Sequence, residues 1–363
     1  MEQTILGIMK KIIGSIIRKF KFIFEYIIRK KYKRPSYYPE KERKSSLRII
    51  LENIRYILKY ENQYFYLTNG FDCKDVDQKE YCVLHDFAST VKRLNHHGVN
   101  GDHTILLKDK SLFEIMCNHY EIPSVTTIGK YQKGVVEKLD GNRMSLIELL
   151  EERPHLFFKL ASSEKGKGVC SVDYNEGKYY LNDVESSYST IEKTLDSSKT
   201  EYMVQIRLMQ HQDINRLYGH SINTLRIATV LHKEECVVLG TFLRCGTNGM
   251  VCDNGSQGGA LIGVEESGRL YKYGFFLRGG TKSDRHPNTG VVFSEFQVPY
   301  YEEALELVKR AHTKAFHDIK TVGWDVAITP DGPVLIEGNT NYSGPAFEMC
   351  MGGMKQKFQR YLK

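Results

Sequence analysis

Two short apolar runs near the C-terminus carry oxygen-bearing side chains at a spacing suited to a divalent cation. The first is Gly323-Trp324-Asp325-Val326-Ala327-Ile328. The second is Val334-Leu335-Ile336-Glu337-Gly338-Asn339-Thr340-Asn341, and Asp331-Gly332-Pro333 lies between them. Apolar runs on either side of an Asp-Gly-Pro turn predict a β-hairpin. Side chains alternate along a strand, so Glu337 and Asn339 share one face. If Asp325 reaches that face from the neighbouring strand, three oxygen donors converge, as Mg2+ requires when it also holds nucleotide phosphates. The competing reading is a surface hairpin whose acids are merely solvated.

A second cluster lies upstream. Phe157-Phe158-Lys159-Leu160 is a short apolar strand with one lysine, and it runs into Ala161-Ser162-Ser163-Glu164-Lys165-Gly166-Lys167-Gly168-Val169. Gly166 and Gly168 let the backbone bend and present N–H groups to an anion. Lys159, Lys165 and Lys167 add positive charge where a triphosphate would lie. The Gly-x4-Gly-Lys-Ser/Thr spacing of a Walker loop is missing. Alone, such a loop reads as a turn or as a phosphate site. Arg226 and Arg244 each sit inside an apolar strand, a costly placement unless the charge is paired. For either arginine the plain alternative is an ordinary salt bridge.

Taken in order, these motifs resemble the ATP-grasp superfamily, over about residues 104 to 345. The resemblance implies that Lys159 faces the α-phosphate and adenine side of a nucleotide. Ser162 through Val169, with Lys165, Gly166 and Gly168, would be the loop folding over the β- and γ-phosphates. Tyr202-Met203-Val204-Gln205 would be the hinge strand whose backbone meets adenine, and Arg226 would reach the γ-phosphate. Asp325, Glu337 and Asn339 would be the metal ligands. A narrower likeness rests on His211-Gln212-Asp213, Ser221-Ile222-Asn223-Thr224-Leu225-Arg226 and Val251-Cys252-Asp253-Asn254-Gly255-Ser256-Gln257-Gly258-Gly259. These resemble the sugar-transfer-associated ATP-grasp family, a relative of the glutamate-ligase-like enzymes. Lys110-Ser111-Leu112-Phe113 with Tyr120-Glu121-Ile122-Pro123 resembles its pre-grasp segment. By the same resemblance Asp213 joins the nucleotide-contacting set, Arg226 and Arg244 face the transferring group, and Asn254 matches an asparagine of the metal and substrate region. The chain departs from the pattern at Glu164-Lys165 in the loop and at Gln205, where many relatives have glutamate.

The resemblance implies an α+β ATP-grasp fold and an ATP-dependent carboxylate–amine ligase working through an acyl phosphate. Two Mg2+ ions would serve it, with Mn2+ able to substitute. Its partners would be a small-molecule carboxylate and an amine or sugar-linked acceptor, in cell-surface polysaccharide synthesis. Two alternatives stay open: a kinase acting on a hydroxyl, for which Asp253 could be the base, and a non-catalytic nucleotide-binding scaffold. No feature calls for nucleic acid.

These residues must be positioned by a chain of 363 residues, 41% hydrophobic and with 30 glycines, more than one small core needs. The division expected is a helix and linker over 1–45, a pre-grasp segment over 46–125, and grasp subdomains over 126–205 and 206–363. Helices are expected at Leu47 to Leu58, Lys110 to His119 and Tyr301 to Ile319, the last burying Ala304, Leu305, Leu307, Val308, Ala311 and Phe316. Strands are expected at Val125 to Ile128, Phe157 to Leu160, Met203 to Ile206, Leu225 to Leu231, Glu235 to Leu243 and Gly290 to Phe293. Tyr64 to Leu67 reads as a short strand or loop. The eight cysteines include no Cys-x-x-Cys pair, so reduced thiols are expected rather than structural zinc.

Charge is uneven. Residues 1 to 34 hold ten Lys or Arg and two acids, a net +8, while the whole chain is +7, so the remainder sums to −1. Ile12, Ile13, Ile16, Ile17, Phe20, Ile23, Phe24, Ile27 and Ile28 fill about half of a helical wheel and the charges fill the other half. The segment has too many charges for a spanning helix and lacks the cleavage site of a signal peptide. Three readings remain: a helix in the plane of an anionic membrane, one docked on the body, or one that dimerises. The basic amphipathic pattern favours the first, with a cytoplasmic protein held at the inner face of the cell membrane.

Overall fold

Strand-forming runs alternate buried and exposed residues through the middle of the chain, and in the computed structural model they assemble into two antiparallel sheets. The structure describes residues 2–29, 36–60, 64–82, 84–96, 101–160, 168–198, 200–233, 235–278 and 280–362; for 2–12, 59–60, 64–65 and 84–86 it describes the backbone alone.

The first sheet comprises β1 (Thr127–Gln132), β2 (Val135–Lys138), β3 (Arg143–Ser145), β4 (His155–Leu160), β5 (Val169–Asn175), β6 (Lys178–Leu181), β7 (Val184–Ser186) and β8 (Tyr202–Ile206). Its order is β3-β2-β1-β8-β4-β5-β6-β7. Phe158, Val172 and Val204 point to one face and pack under the helices Leu146–Glu152 and Tyr188–Asp196 with Leu149, Leu150, Ile191 and Leu195. The first of these helices begins with a reciprocal capping box between Ser145 and Glu148, which satisfies two otherwise orphaned N–H groups.

The second sheet comprises β9 (Thr224–His232), β10 (Glu235–Cys245), β11 (Ala260–Val264), β12 (Leu270–Phe276), β13 (Thr281–Ser283), β14 (Thr321–Thr329) and β15 (Gly332–Asn339), in the order β13-β12-β11-β10-β9-β14-β15. It is covered on both faces. Leu225, Ile227, Trp324 and Val326 pack with the helix Tyr301–Arg310 and with Phe113 of the helix Lys110–His119. Ala228, Val230, Phe242 and Leu261 pack with Phe347 and Phe358 of the helices Gly344–Met351 and Lys355–Tyr361. A sheet buried on both sides explains the near-continuous apolar run of β14, whose nine residues are all buried.

Three expectations are corrected. Tyr64–Thr68 is helical, with Tyr66 buried against Phe71 and Ile49, so its aromatic spacing serves a helix packed on a small core rather than a strand. Gly290 to Phe293 contributes only an isolated bridge, Arg285 to Val292, before a 3-10 turn over Phe293–Glu295. The late helix is α over Tyr301–Arg310 and widens into a π turn over Ala311–Ala315, ending before Ile319. At the N-terminus, α1 (Glu2–Ile28) lies beside α2 (Ser46–Tyr60).

Candidate functional site

The two sheets are tied together where the site lies. Leu335 of β15 donates its N–H to Pro123 O at 2.9 Å, and Val125 donates to Leu335 O at 3.0 Å, just before the chain enters β1. Glu114, buried on the helix Lys110–His119, accepts from Thr127 N at 2.7 Å. These bonds hold the edge strand of the second sheet, the helix and the first sheet around a cavity of about 580 Å3. Lys108, Lys110, Lys159, Gln205, Glu337, Asn339, Thr340 and Asn341 contribute its polar lining.

The hairpin register decides which side chains enter. Asp325 pairs with Arg226 of β9 on one side and with Glu337 of β15 on the other, so three charged residues form a row across adjacent strands. A bulge makes this possible. Val326 pairs with Leu335 and Asp325 with Glu337, which leaves Ile336 as the extra residue on β15. Leu335 faces the core, and strict alternation would send Glu337 there too; one inserted residue turns it to the other face. Asn339 opposite Gly323 follows it, with its Nδ2 3.4 Å from Glu337 Oε1.

Asp325 is buried and occupied. Arg226 donates from Nε and, at 3.0 Å, from Nη2; Arg244 adds Nη2 at 2.9 Å. Burial alone would raise this carboxyl, but the two guanidinium groups outweigh it and hold it below the ordinary range. Arg244 also donates to Thr224 Oγ1 at 2.9 Å and lies 3.3 Å from Asp253. Burial works against its charge, while Asp253, Asp325 and Glu337 keep it protonated. Asp253 is buried, and its Oδ2 accepts from both the Thr224 N–H and hydroxyl, so that oxygen braces β9. Burial raises its carboxyl against the opposing pull of Arg244 and Thr224.

Lys159 comes from β4 in the first sheet. Its Nζ lies 3.8 Å from Glu337 Oε2, so the two sheets present opposite charges to each other across the cavity. Lys110 stands beside Lys159, a residue that sequence reasoning placed only within a pre-grasp segment. Burial, together with the adjacent Lys159 charge, lowers the Lys110 ammonium to about 8. A signal was present: Asp109 caps the helix by accepting from Ser111 N at 2.8 Å and Leu112 N at 3.1 Å, which fixes Lys110 at its first position. Gln205 ends the hinge strand in the cavity wall and donates to Thr127 Oγ1 at 3.1 Å.

Other expected residues lie elsewhere. Val204 is a fully buried core residue in a strand paired on both sides, with β1 and with β4, so its backbone bonds are spent within the sheet. Asp213 lies on the helix Gln212–Leu217, 3.4 Å from Arg216, and does not line the cavity. Asn254 accepts from Ser256 N at 3.0 Å and Ser256 Oγ at 2.9 Å as the cap of a 3-10 turn. Ser162, Lys165 and Gly166 fall outside the described residues. Gly168 closes that loop at φ +65°, and its carbonyl accepts from Leu160 N at 3.1 Å. A Cβ there would meet Leu160 at 2.2 Å, so glycine is required. Val169 follows it, paired with Lys159. A second cavity, of about 490 Å3, lies beside the 255–258 turn and is lined by Asn248, Gln257, Arg278 and Ser283.

A family model for sugar-transfer associated ATP-grasp proteins matches residues 91–360. Among solved structures, the chain is similar to a biotin carboxylase–β-γ-ATP complex from Campylobacter jejuni, at 12% identity and a TM-score of 0.43, over 78% of this chain and 53% of that one. It is similar to an L-amino acid ligase from Bacillus licheniformis at 12% identity and a TM-score of 0.42, over 76% and 52%. A D-alanyl-alanine synthetase A from Vibrio cholerae is 11% identical, with a TM-score of 0.39 over 72% and 61%. The chain thus spans about half to three-fifths of the length of these proteins. No curated protein matches it in sequence.

Proposed function

Because the chain belongs to the sugar-transfer associated ATP-grasp family, we propose that it is an ATP- and Mg2+-dependent ligase joining a small-molecule carboxylate to an amine or sugar-linked acceptor. The observation that carries the reading is the convergence of Lys110 and Lys159 with Glu337 and Asn339 on one cavity between two sheets. Lysine ammonium groups and an acid–amide pair within one enclosure suit a metal-bound triphosphate.

Lys110 and Lys159 would neutralise the phosphates, and Gln205 would border the base. Glu337 and Asn339 fit a metal: their contacts with Lys159 and with each other are long, at 3.8 and 3.4 Å, so their oxygens keep open lone pairs. Asp325 fits less directly, since both its oxygens already accept from arginine. Its part is to aim Arg226 and Arg244, and it borders the metal position only through Glu337. The metal, when bound, supplies positive charge against the β- and γ-phosphates.

The substrate carboxylate would attack the γ-phosphorus, releasing ADP and leaving an acyl phosphate; the acceptor's amine would then attack the acyl carbon, displacing phosphate and losing a proton. Arg226 and Arg244 are fixed donors held by a buried carboxylate, and such pre-aimed guanidinium groups stabilise charge spread over the transferring oxygens. Arg278 and its polar neighbours beside the 255–258 turn would receive an anionic or hydroxyl-rich acceptor. The description of the family favours a sugar-linked one. A kinase would need a base, and Asp253 already holds Thr224 and Arg244 through its Oδ2.

The test is incubation with ATP, Mg2+ and a panel of carboxylic acids in the presence of hydroxylamine. Acid-dependent hydroxamate with stoichiometric ADP is the expected result. Phosphate transferred to a hydroxyl compound, with no hydroxamate, would overturn the ligase assignment.

A further inference from the structure

We propose that α1 and the adjoining face of α2 dock on the surface of an anionic phospholipid bilayer. On a wheel of about 100° per residue, Ile13, Ile16, Ile17, Phe20, Phe24, Ile27 and Ile28 fall within an arc of about 120°. All seven are exposed, with Ile17 at 61%, Phe20 at 66%, Phe24 at 65% and Ile28 at 62%. Among the described side chains of α1 the buried one is Tyr26, 3% exposed, and it lies outside that arc. Over residues 13–28 the helix therefore leaves this apolar face uncovered.

α2 repeats the pattern. Ile49, Asn53 and Ile57 are buried, while Leu47, Leu51 and Leu58 form a second exposed apolar stripe at helical spacing, beside the exposed Arg48 and Arg55. Single exposed leucines are unremarkable on a surface, but two adjacent helices with continuous apolar stripes mark an interaction face.

Charge selects the occupant. Lys19 and Lys21 border the α1 stripe on its two sides, with Arg18 and Arg29 behind Lys21. The first 34 residues carry +8, against −1 for the remainder. Long cationic side chains edging an apolar stripe can extend toward lipid headgroups while the stripe enters the acyl boundary. A second copy of this chain would present the same concentrated positive charge and repel. No helix among the described residues is long and apolar enough to cross a membrane, so the contact lies in the plane of the surface.

The experiment is co-sedimentation of the full chain with vesicles of equal parts phosphatidylcholine and phosphatidylglycerol, against vesicles of phosphatidylcholine alone, with light scattering on the protein by itself. Wild type should pellet with the anionic vesicles and at least tenfold less with the neutral ones. F20E/F24E should lose binding to both, and K19E/K21E should lose the anionic preference. Circular dichroism and melting of these variants should match wild type, because the altered side chains touch little of the body. Wild type left in the supernatant with anionic vesicles overturns the proposal. So does equal pelleting of F20E/F24E, or a wild-type dimer that this variant dissociates without any effect of lipid.

Discussion

Replacing Asp325 with Asn separates a residue that positions arginines from one that mainly binds metal. The carboxylate is 1% exposed and accepts three hydrogen bonds from Arg226 and Arg244. An asparagine keeps the shape but loses the charge, and its amide hydrogens point a donor at a guanidinium donor. Removing one partner of a buried ion pair costs about 3–5 kcal/mol. The arginine side chains retain 14% and 20% exposure, so water relieves part of that and the low end, about 3 kcal/mol, applies. At about 2–4 °C per kcal/mol for a unit of 150–250 residues, the midpoint should fall by about 6–12 °C. Scanning calorimetry with and without Mg2+ measures this directly, and the loss should be the same in both. A D325N midpoint within a degree or two of wild type in metal-free buffer would refute the positioning role.

Glu337→Gln should do the reverse. Its contacts with Lys159 and Asn339 are long, at 3.8 and 3.4 Å, so the midpoint should stay near wild type while ATP-dependent ADP release at saturating Mg2+ falls by at least two orders of magnitude; near-normal release would remove Glu337 from the metal site. Stability against pH tests two buried groups away from the site. Burial raises Glu348 from 4.5 to about 7, so the folded state binds its proton more tightly than the unfolded chain, and stability drains away as pH rises through that interval by about 3 kcal/mol. Burial lowers His312 from 6.5 to about 4, so its contribution runs the other way and is lost as pH falls through that interval. The two nearly cancel in wild type. E348Q should unmask a rise of about 3 kcal/mol between pH 4 and 6.5 in urea unfolding; parallel wild-type and E348Q profiles would contradict the assignment.

Much of the site is legible in the sequence because its residues sit in short strands with clear punctuation. The Asp-Gly-Pro turn marks the hairpin, and Lys159 stands out as the lone charge in an apolar strand. What the sequence hides is register. Nothing in Leu335-Ile336-Glu337 announces a bulge at Ile336, and alternation counted from Leu335 would bury Glu337. The row joins Asp325 and Glu337 of one hairpin to Arg226, 99 residues before Asp325, so the pairing of arginine with an expected metal ligand appears only in three dimensions. Val204 misleads for a related reason: the hinge strand is central in its sheet, and only its end at Gln205 meets the cavity. Lys110 is missed because a helix start reads as structure, although its aspartate cap fixes its position. The apolar face of α1 is fully legible as a pattern, but only the fold shows that the body leaves it uncovered.

The central claim is that the cavity between the two sheets holds Mg2+–ATP between Lys159 and Glu337. Calorimetric titration of the full chain with a non-hydrolysable ATP analogue and Mg2+ tests it most directly, compared with Lys159→Ala. A charge-assisted contact of about 1.5–3 kcal/mol predicts that K159A binds about 10- to 150-fold more weakly. Omitting Mg2+ should weaken the wild type as well. Equal affinity in wild type and K159A, or no binding of the analogue to wild type, would contradict the account.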